Sequence, residues 1–251
     1  MSEIKNIHTL SRVNLYEQVA DRLEQLILAE NEPQYQEGVK LPPEQELADE
    51  FGVSRNVVRE AIKLLKERGL VEPRNGVGVY ITKPDVNMMS NQLYRYVLMN
   101  GVELEQLNET RLILESGCAY SAAHRITEEQ LSKMRDILYK MEDLTISVNE
   151  RRELDFAFHF AIAEATGNAL NLLLMNAMRE ISLTLIEKGI MIEGGIEDAL
   201  FRHRHILAAL ERHDPEAAMS AMVEHLKSSL EQVEAYVSRN TADSAEHPKV
   251  E

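Results

Sequence analysis

The sequence predicts a mainly α fold in two parts: an N-terminal helix-turn-helix closed by a β-hairpin, and a C-terminal antiparallel all-α helical bundle. Three observations carry this. Trp is absent and aromatic residues make up 5% of the chain, while Leu, Glu, Ala and Met abound, a composition of helices rather than of a sandwich or barrel. Beyond residue 92 almost every segment repeats its apolar residues with helical period. The clearest hairpin signal, Asn75-Gly76, falls near the end of the first 83 residues.

The elements follow in order. Leu15, Val19, Leu23, Leu26 and Ile27 form one apolar stripe of a helix starting near Asn14, ended by the polar stretch 31–40 with Pro33 and Gly38. Leu41-Pro42-Pro43 then leads into a short helix, Glu44–Phe51, because Pro is tolerated at a first turn. Gly52 closes it, and Ser54 caps a second helix, Arg55–Arg68, whose buried face is Val58, Ala61, Ile62 and Leu65 and which Gly69 stops. Leu70–Pro73 and Val77–Thr82 flank the turn 74–76, where Asn-Gly supplies positive φ angles. Domain boundaries are expected at 1–83 for this unit, 84–92 for a linker containing Pro84, 93–240 for the bundle and 241–251 for a polar, disordered tail. Bundle helices are expected at about 92–100, 103–124, 128–143, 150–166, 169–188, 196–212 and 215–239. Thr127 with Gln130 makes a capping box, and Asp214-Pro215 starts the last helix.

Helix, short helix, turn, helix and hairpin together make a winged helix-turn-helix. The chain carries a formal charge of −15, which taken whole argues against a polyphosphate partner. Residues 53–83, however, hold seven Lys/Arg against three Asp/Glu, a local excess of +4. Opposite the buried stripe stand Arg55, Asn56, Arg59, Lys63 and Lys66, so guanidinium and amide groups at the start of the helix can reach base edges in a major groove while the lysines meet phosphates. A single such head makes few contacts. A homodimer reading a pseudo-palindromic, double-stranded operator is the expected partner arrangement.

Cys118 is the only cysteine and cannot form an internal disulfide; its place on an apolar stripe assigns it to the core. With neither a signal-peptide pattern nor a long uncharged apolar run, the expected location is the cytoplasm, with no membrane partner.

The helical half holds a second constellation. Asp155 and His159 are four apart and share a helical face. His203 and His225 lie eleven residues either side of Asp214, so in an antiparallel hairpin rising ~1.5 Å per residue both stand about 16 Å from the turn and level with each other. His203 shares a stripe with Ile206, Leu207 and Leu210, whereas His205 points about 200° round the helix and is rejected. Three imidazoles and a carboxylate suit a divalent metal ion, zinc first, with nickel or manganese as alternatives. Arg111 falls on the stripe Leu104, Leu107, Leu114, Cys118, where it would pair with a carboxylate of a bound effector or of the protein itself. The same four donors could instead hold a catalytic ion in a metal-dependent hydrolase, or a purely structural one. Against the hydrolase stand the absence of a recognisable general base beside the donors and an N-terminal unit of no use to it.

The runs Leu41-Pro42-Pro43-Glu44-Gln45-Glu46-Leu47-Ala48, Gly52 to Ala61, Gly69-Leu70-Val71 and Asn75 to Ile81 resemble the GntR-type winged helix-turn-helix of bacterial transcription regulators, over about seventy residues. The resemblance implies DNA contacts by Arg55 and Arg59, a wing tip at Gly76 entering the minor groove, and Ser54 and Asn56 as helpers. Many members carry Arg where this chain has Gln45, a donor without the charge. Asp155 to His159, Gly167-Asn168, and the stretch from His203 through Asp214 to His225 resemble the FCD effector domain of the FadR subfamily, as do Glu109-Thr110-Arg111 and Leu114-Glu115. That implies a metal on Asp155, His159, His203 and His225, a small organic acid completing its shell, and a regulator, expected to be a repressor, rather than an enzyme.

Overall fold

The computed structural model describes residues 14–29 and 32–246, and the chain divides into two compact units, Met1–Asp85 and Val86–Glu251. In the first, α1 (Leu15–Leu28) is followed by a 3-10 turn (Pro33–Tyr35), α2 (Glu44–Phe51), α3 (Arg55–Glu67), β1 (Val71–Arg74) and β2 (Gly78–Ile81). The stripe Val58, Ala61, Ile62 and Leu65 is buried against Val19, Ala20 and Leu23 of α1 and Leu47 and Ala48 of α2. Gly52 takes the left-handed conformation (φ 65°) that ends α2, and its N–H bonds back to Ala48 and Asp49. Ser54 Oγ accepts from the Val57 N–H and so starts α3. The hairpin pairs Val71 with Ile81 and Arg74 with Gly78, so its turn lies at 75–77, one residue later than the spacing predicts.

The second unit holds α4 (Val86–Asn100), α5 (Leu104–Ala123), α6 (Glu128–Met141), α7 (Val148–Ala165), α8 (Ala169–Ala177), α9 (Arg179–Ile190), α10 (Gly195–Glu211) and α11 (Pro215–Glu246). Its main core cluster includes Met134, Met141, Phe158, Ile162, Ile206, Leu210, Met222 and Leu226, and Ile181, Leu185 and Val233 form a smaller one. The Thr127–Gln130 capping box forms at α6, and Asp214 Oδ1 accepts from the Ala217 N–H at the start of α11.

Three expectations need correction. The stretch 84–92 is not a linker throughout: α4 begins at Val86, because Tyr94 and Val97 pack on Ile181, Leu185 and Val233 and Ser90 is buried, which holds a helix that local sequence alone would not nucleate. The single helix expected over 169–188 is two, α8 and α9, bent by 60° at Met178. No Gly or Pro marks the bend; Arg179, paired with Glu153 and lying over the Phe156 ring, ties α9 to α7 there. Finally, α11 runs on to Glu246, since the sequence offers no helix breaker before Pro248. The rest of the expected tail, 247–251, lies outside the described residues.

Among the described residues no single helix is long and apolar enough to cross a membrane. The bent pair α8–α9 is apolar enough in sum, but Met175, Ile181, Leu183, Leu185 and Ile186 are buried within the bundle.

Candidate functional site

On the N-terminal unit, Gln45, Ser54, Arg55, Asn56, Arg59 and Gly76 are all exposed. The turn around Glu44 brings two of them together: Arg55 Nε donates to Glu44 Oε2 (2.8 Å), and Arg59 donates through Nε to Oε1 (3.3 Å) and through Nη2 to Oε2 (3.1 Å). Arg59 first, and then Arg55, hold the Glu44 carboxyl below its usual range despite its partial burial. Glu44 therefore aligns both guanidinium groups along the start of α3, a role the sequence reading did not assign to it. Gln45 turns instead to Asp49 Oδ1 (3.0 Å) along its own helix. Arg74 stacks 4.3 Å over Tyr80, across the two strands of the wing beside its turn.

In the second unit, α7, α10 and α11 carry His159, His203 and His225 to a common point. His159 Nε2 lies 3.2 Å from His203 Nε2 and 3.1 Å from His225 Nε2. Asp155, one turn before His159, places Oδ1 3.6 Å from His159 Nε2 and Oδ2 3.7 Å from His203 Nε2. All four side chains are buried. Nitrogen donors around a tetrahedral ion at ~2.0–2.1 Å stand about 3.3 Å from one another, close to the separations seen. Burial, reinforced by the neighbouring imidazoles, lowers His203 to about 4 and pushes His225 well below its ordinary value, so both are neutral at pH 7. Neutral imidazoles aiming lone pairs at one point are a donor set that a divalent cation fits.

Behind the cluster lies a carboxylate that the sequence reading left without a role. Glu115 Oε2 sits 2.6 Å from His159 Nδ1, and Oε1 accepts from Arg111 Nε at 2.7 Å. Burial alone would raise the Glu115 carboxyl, but Arg111 and then His159 overcome it and hold it down at about 2. A carboxylate on Nδ1 fixes the His159 tautomer with Nε2 free to bind metal. The available signal was the i,i+4 spacing of Arg111 and Glu115.

Arg111 is 2% exposed, and its Nη1 has no hydrogen-bond partner. It lines a small cavity of about 20 Å³, partly open to solvent, together with Asp155, His225, Asp198, Ser229 and Gln232. The two alternatives for Arg111 thus coexist: Nε serves the protein's own Glu115, and Nη1 is left for something else. Cys118 is buried, and burial raises its thiol to about 11, which keeps it a core residue.

A pH dependence follows from the depressed imidazoles. Unfolded, they take up protons near pH 6.5; folded and metal-free, His203 does so only near 4 and His225 well below its ordinary value. The stability they contribute is complete above pH 6.5 and is lost as pH falls toward 4. Thermal unfolding in chelator is expected to show Tm steady from pH 8 to 6.5 and declining between 6.5 and 5, above the range where ordinary carboxyls titrate. A Tm that stays flat across that interval would contradict the assignment.

A winged helix-turn-helix whose second helix and wing are locally basic, on one unit, and a partly open polar cavity in a helical second unit define the class: a DNA-binding transcription regulator with an effector-binding domain. Residues 15–81 match the gntR family of bacterial regulatory proteins, and residues 106–228 match the FCD domain. The HTH-type transcriptional regulator LutR of Bacillus subtilis is 33% identical, the match covering 81% of this chain and 95% of LutR. The Uxu operon transcriptional regulator of Escherichia coli is 35% identical, over 84% of each chain. The solved structure of Streptococcus agalactiae GntR superposes with a TM-score of 0.62 at 32% identity, covering 86% of this chain and 99% of that one. The chain belongs to the GntR family of bacterial transcription regulators and carries an FCD domain. It is a regulator, not an enzyme, and nothing in its relatives supports the hydrolase reading.

Proposed function

We propose that the protein acts in the cytoplasm as a homodimeric repressor, released from a pseudo-palindromic operator when a small organic acid binds between Arg111 and a divalent metal ion held by Asp155, His159, His203 and His225. Zinc is the first candidate for that ion, with nickel and manganese as alternatives. The observation that carries this reading is the unpartnered, buried Nη1 of Arg111 at a cavity it shares with Asp155 and His225. A buried guanidinium nitrogen left without an acceptor is costly, and a carboxylate supplies that acceptor with charge. The ion would supply positive charge and open coordination positions for the acid. The chain's own residues do the rest: Glu115 orients His159, Arg111 receives the carboxylate, and the surrounding helices exclude water. The acid can shift the dimer only as far as it binds the DNA-free arrangement better.

Elemental analysis with a thermal-shift screen of organic acids tests this directly. An effector-site ion, once chelated, should take ligand binding with it and leave the fold largely intact. A purely structural ion should cost the fold much stability on removal, with the acid response unrelated to it.

At the other end of the chain, Arg59→Ala is expected to weaken operator binding by about 1–3 kcal/mol, the worth of a bidentate base contact. Unchanged affinity in a gel-shift titration at fixed salt would remove Arg59, and the groove assignment of α3, from the account.

A further inference from the structure

The helix that carries the basic face also carries that face's counter-charges. Glu44 opens α2, and its carboxylate accepts three hydrogen bonds, one from Arg55 Nε (2.8 Å) and two from Arg59, through Nε (3.3 Å) and Nη2 (3.1 Å). It keeps 26% of its side-chain surface, against 59% for Arg55 and 45% for Arg59, so the acid sits behind the guanidinium groups and they face outward. One turn further along α3, Lys63 donates to Glu60 at 2.8 Å. The three cations nearest the start of α3 thus each have an acid partner. An acid at a helix start stabilises that helix through its dipole, which alone would account for Glu44 at the head of α2. That role does not require two arginines to reach back to it across eleven and fifteen residues.

A guanidinium offers five N–H donors in a planar fork. Arg55 uses one of them on Glu44 and Arg59 two, all from the Nε side. The Nη1–Nη2 end of each group, the edge that fits guanine O6 and N7, is not taken by these bonds. Beside one carboxylate, the two arginines contribute a net +1 rather than +2. From this arrangement we infer that Glu44 is a positioning residue that sets sequence discrimination: it fixes both guanidinium planes for base edges and withdraws one positive charge from indiscriminate contact with phosphate. The inference rests on the reading above that Arg55 and Arg59 meet DNA. Attraction to phosphate carries no sequence information, so an acid that weakens it lowers binding to every duplex alike. Fixed guanidinium planes favour only the duplex with matching bases, and specificity is the difference between the two affinities.

Fluorescence anisotropy of the full chain tests this, on an operator selected from random DNA and on a scrambled duplex of the same length and composition, over about 50–200 mM salt. Glu44→Gln keeps the side-chain shape and loses the charge. It is expected to bind the scrambled duplex about threefold more tightly than the wild type, with a log–log salt slope steeper by about 0.9, the worth of one further phosphate contact. The ratio of operator to scrambled affinity should fall about tenfold, within the discrimination that one bidentate base contact gives. Glu44→Ala, which removes the acceptor altogether, should lower that ratio at least as far. A uniform weakening on both duplexes with an unchanged slope is what a purely structural acid gives, and it would overturn the inference. So would a ratio that stays within about twofold of the wild type in both variants. Arg59→Ala separates the two levels. If it weakens operator binding while Glu44→Gln moves neither ratio nor slope, only this proposal fails; if it leaves operator affinity unchanged, the groove assignment of α3 fails as well.

Discussion

In Arg111→Ala, the rise in Tm that a saturating organic acid gives the wild type is expected to vanish, while metal content stays near the wild-type value. A ligand at a hundred times its Kd stabilises by about 2.7 kcal/mol, which in a unit of this size raises Tm by about 5–10 °C. The whole of that rise should go, because Arg111 is the cavity-lining cation with a free buried nitrogen. The substitution also carries a cost without ligand. It strips Glu115 of its guanidinium partner in the core, a change that typically destabilises by about 3–5 kcal/mol. Arg111→Lys is the companion variant, since it keeps a charge near Glu115 but cannot serve Glu115 and an acid at once through a planar fork. It should fold and show a reduced acid response. A full response in both variants would make Arg111 purely structural.

The second large effect belongs to His203→Ala. His203 is fully buried, with its ring 4.7 Å from that of Phe158 and its Nε2 3.2 Å from His159 Nε2. Changes to residues that merely orient metal ligands typically cost 10–100-fold in affinity, so loss of a ligand should exceed about 100-fold. After dialysis, elemental analysis is expected to find the variant essentially metal-free where the wild type holds about one ion per chain. The acid response should disappear with the ion even though Arg111 is untouched. Retention of metal by the variant would show that the imidazoles are a satisfied polar core and not a ligand set.

These two residues also mark what could be read in advance. Ser54, Arg55, Asn56 and Arg59 lie within six residues of one another, and a cap followed by an apolar stripe sets their exposure, so local sequence suffices. The levelling of His203 and His225 was equally legible, because helix rise and a capped turn at Asp214 fix both positions. Glu115 was not. Its contact with His159 joins α5 to α7, and no periodicity within either helix encodes which carboxylate faces which imidazole. Asp198 was hidden for the same reason: its partners Ser228 and Gln232 lie about thirty residues on, in α11. Glu44 stands eleven and fifteen residues from the arginines it aligns, across the turn at Gly52. The bend at Met178 and the early start of α4 are likewise decided by tertiary contacts, where propensity is silent.

The proposed regulation couples an acid held by Arg111 and a metal in the bundle to DNA binding by a separate unit. Its most direct test is the operator affinity of the full chain, measured by fluorescence anisotropy on a site selected from random DNA at fixed salt, with and without a binding acid, before and after chelation. The acid is expected to weaken operator binding by about 5-fold or more in the metal-loaded protein, within the usual ~5–150-fold range of coupling between two sites, and to have no effect after chelation. An operator affinity unchanged by the acid in the metal-loaded protein would contradict it.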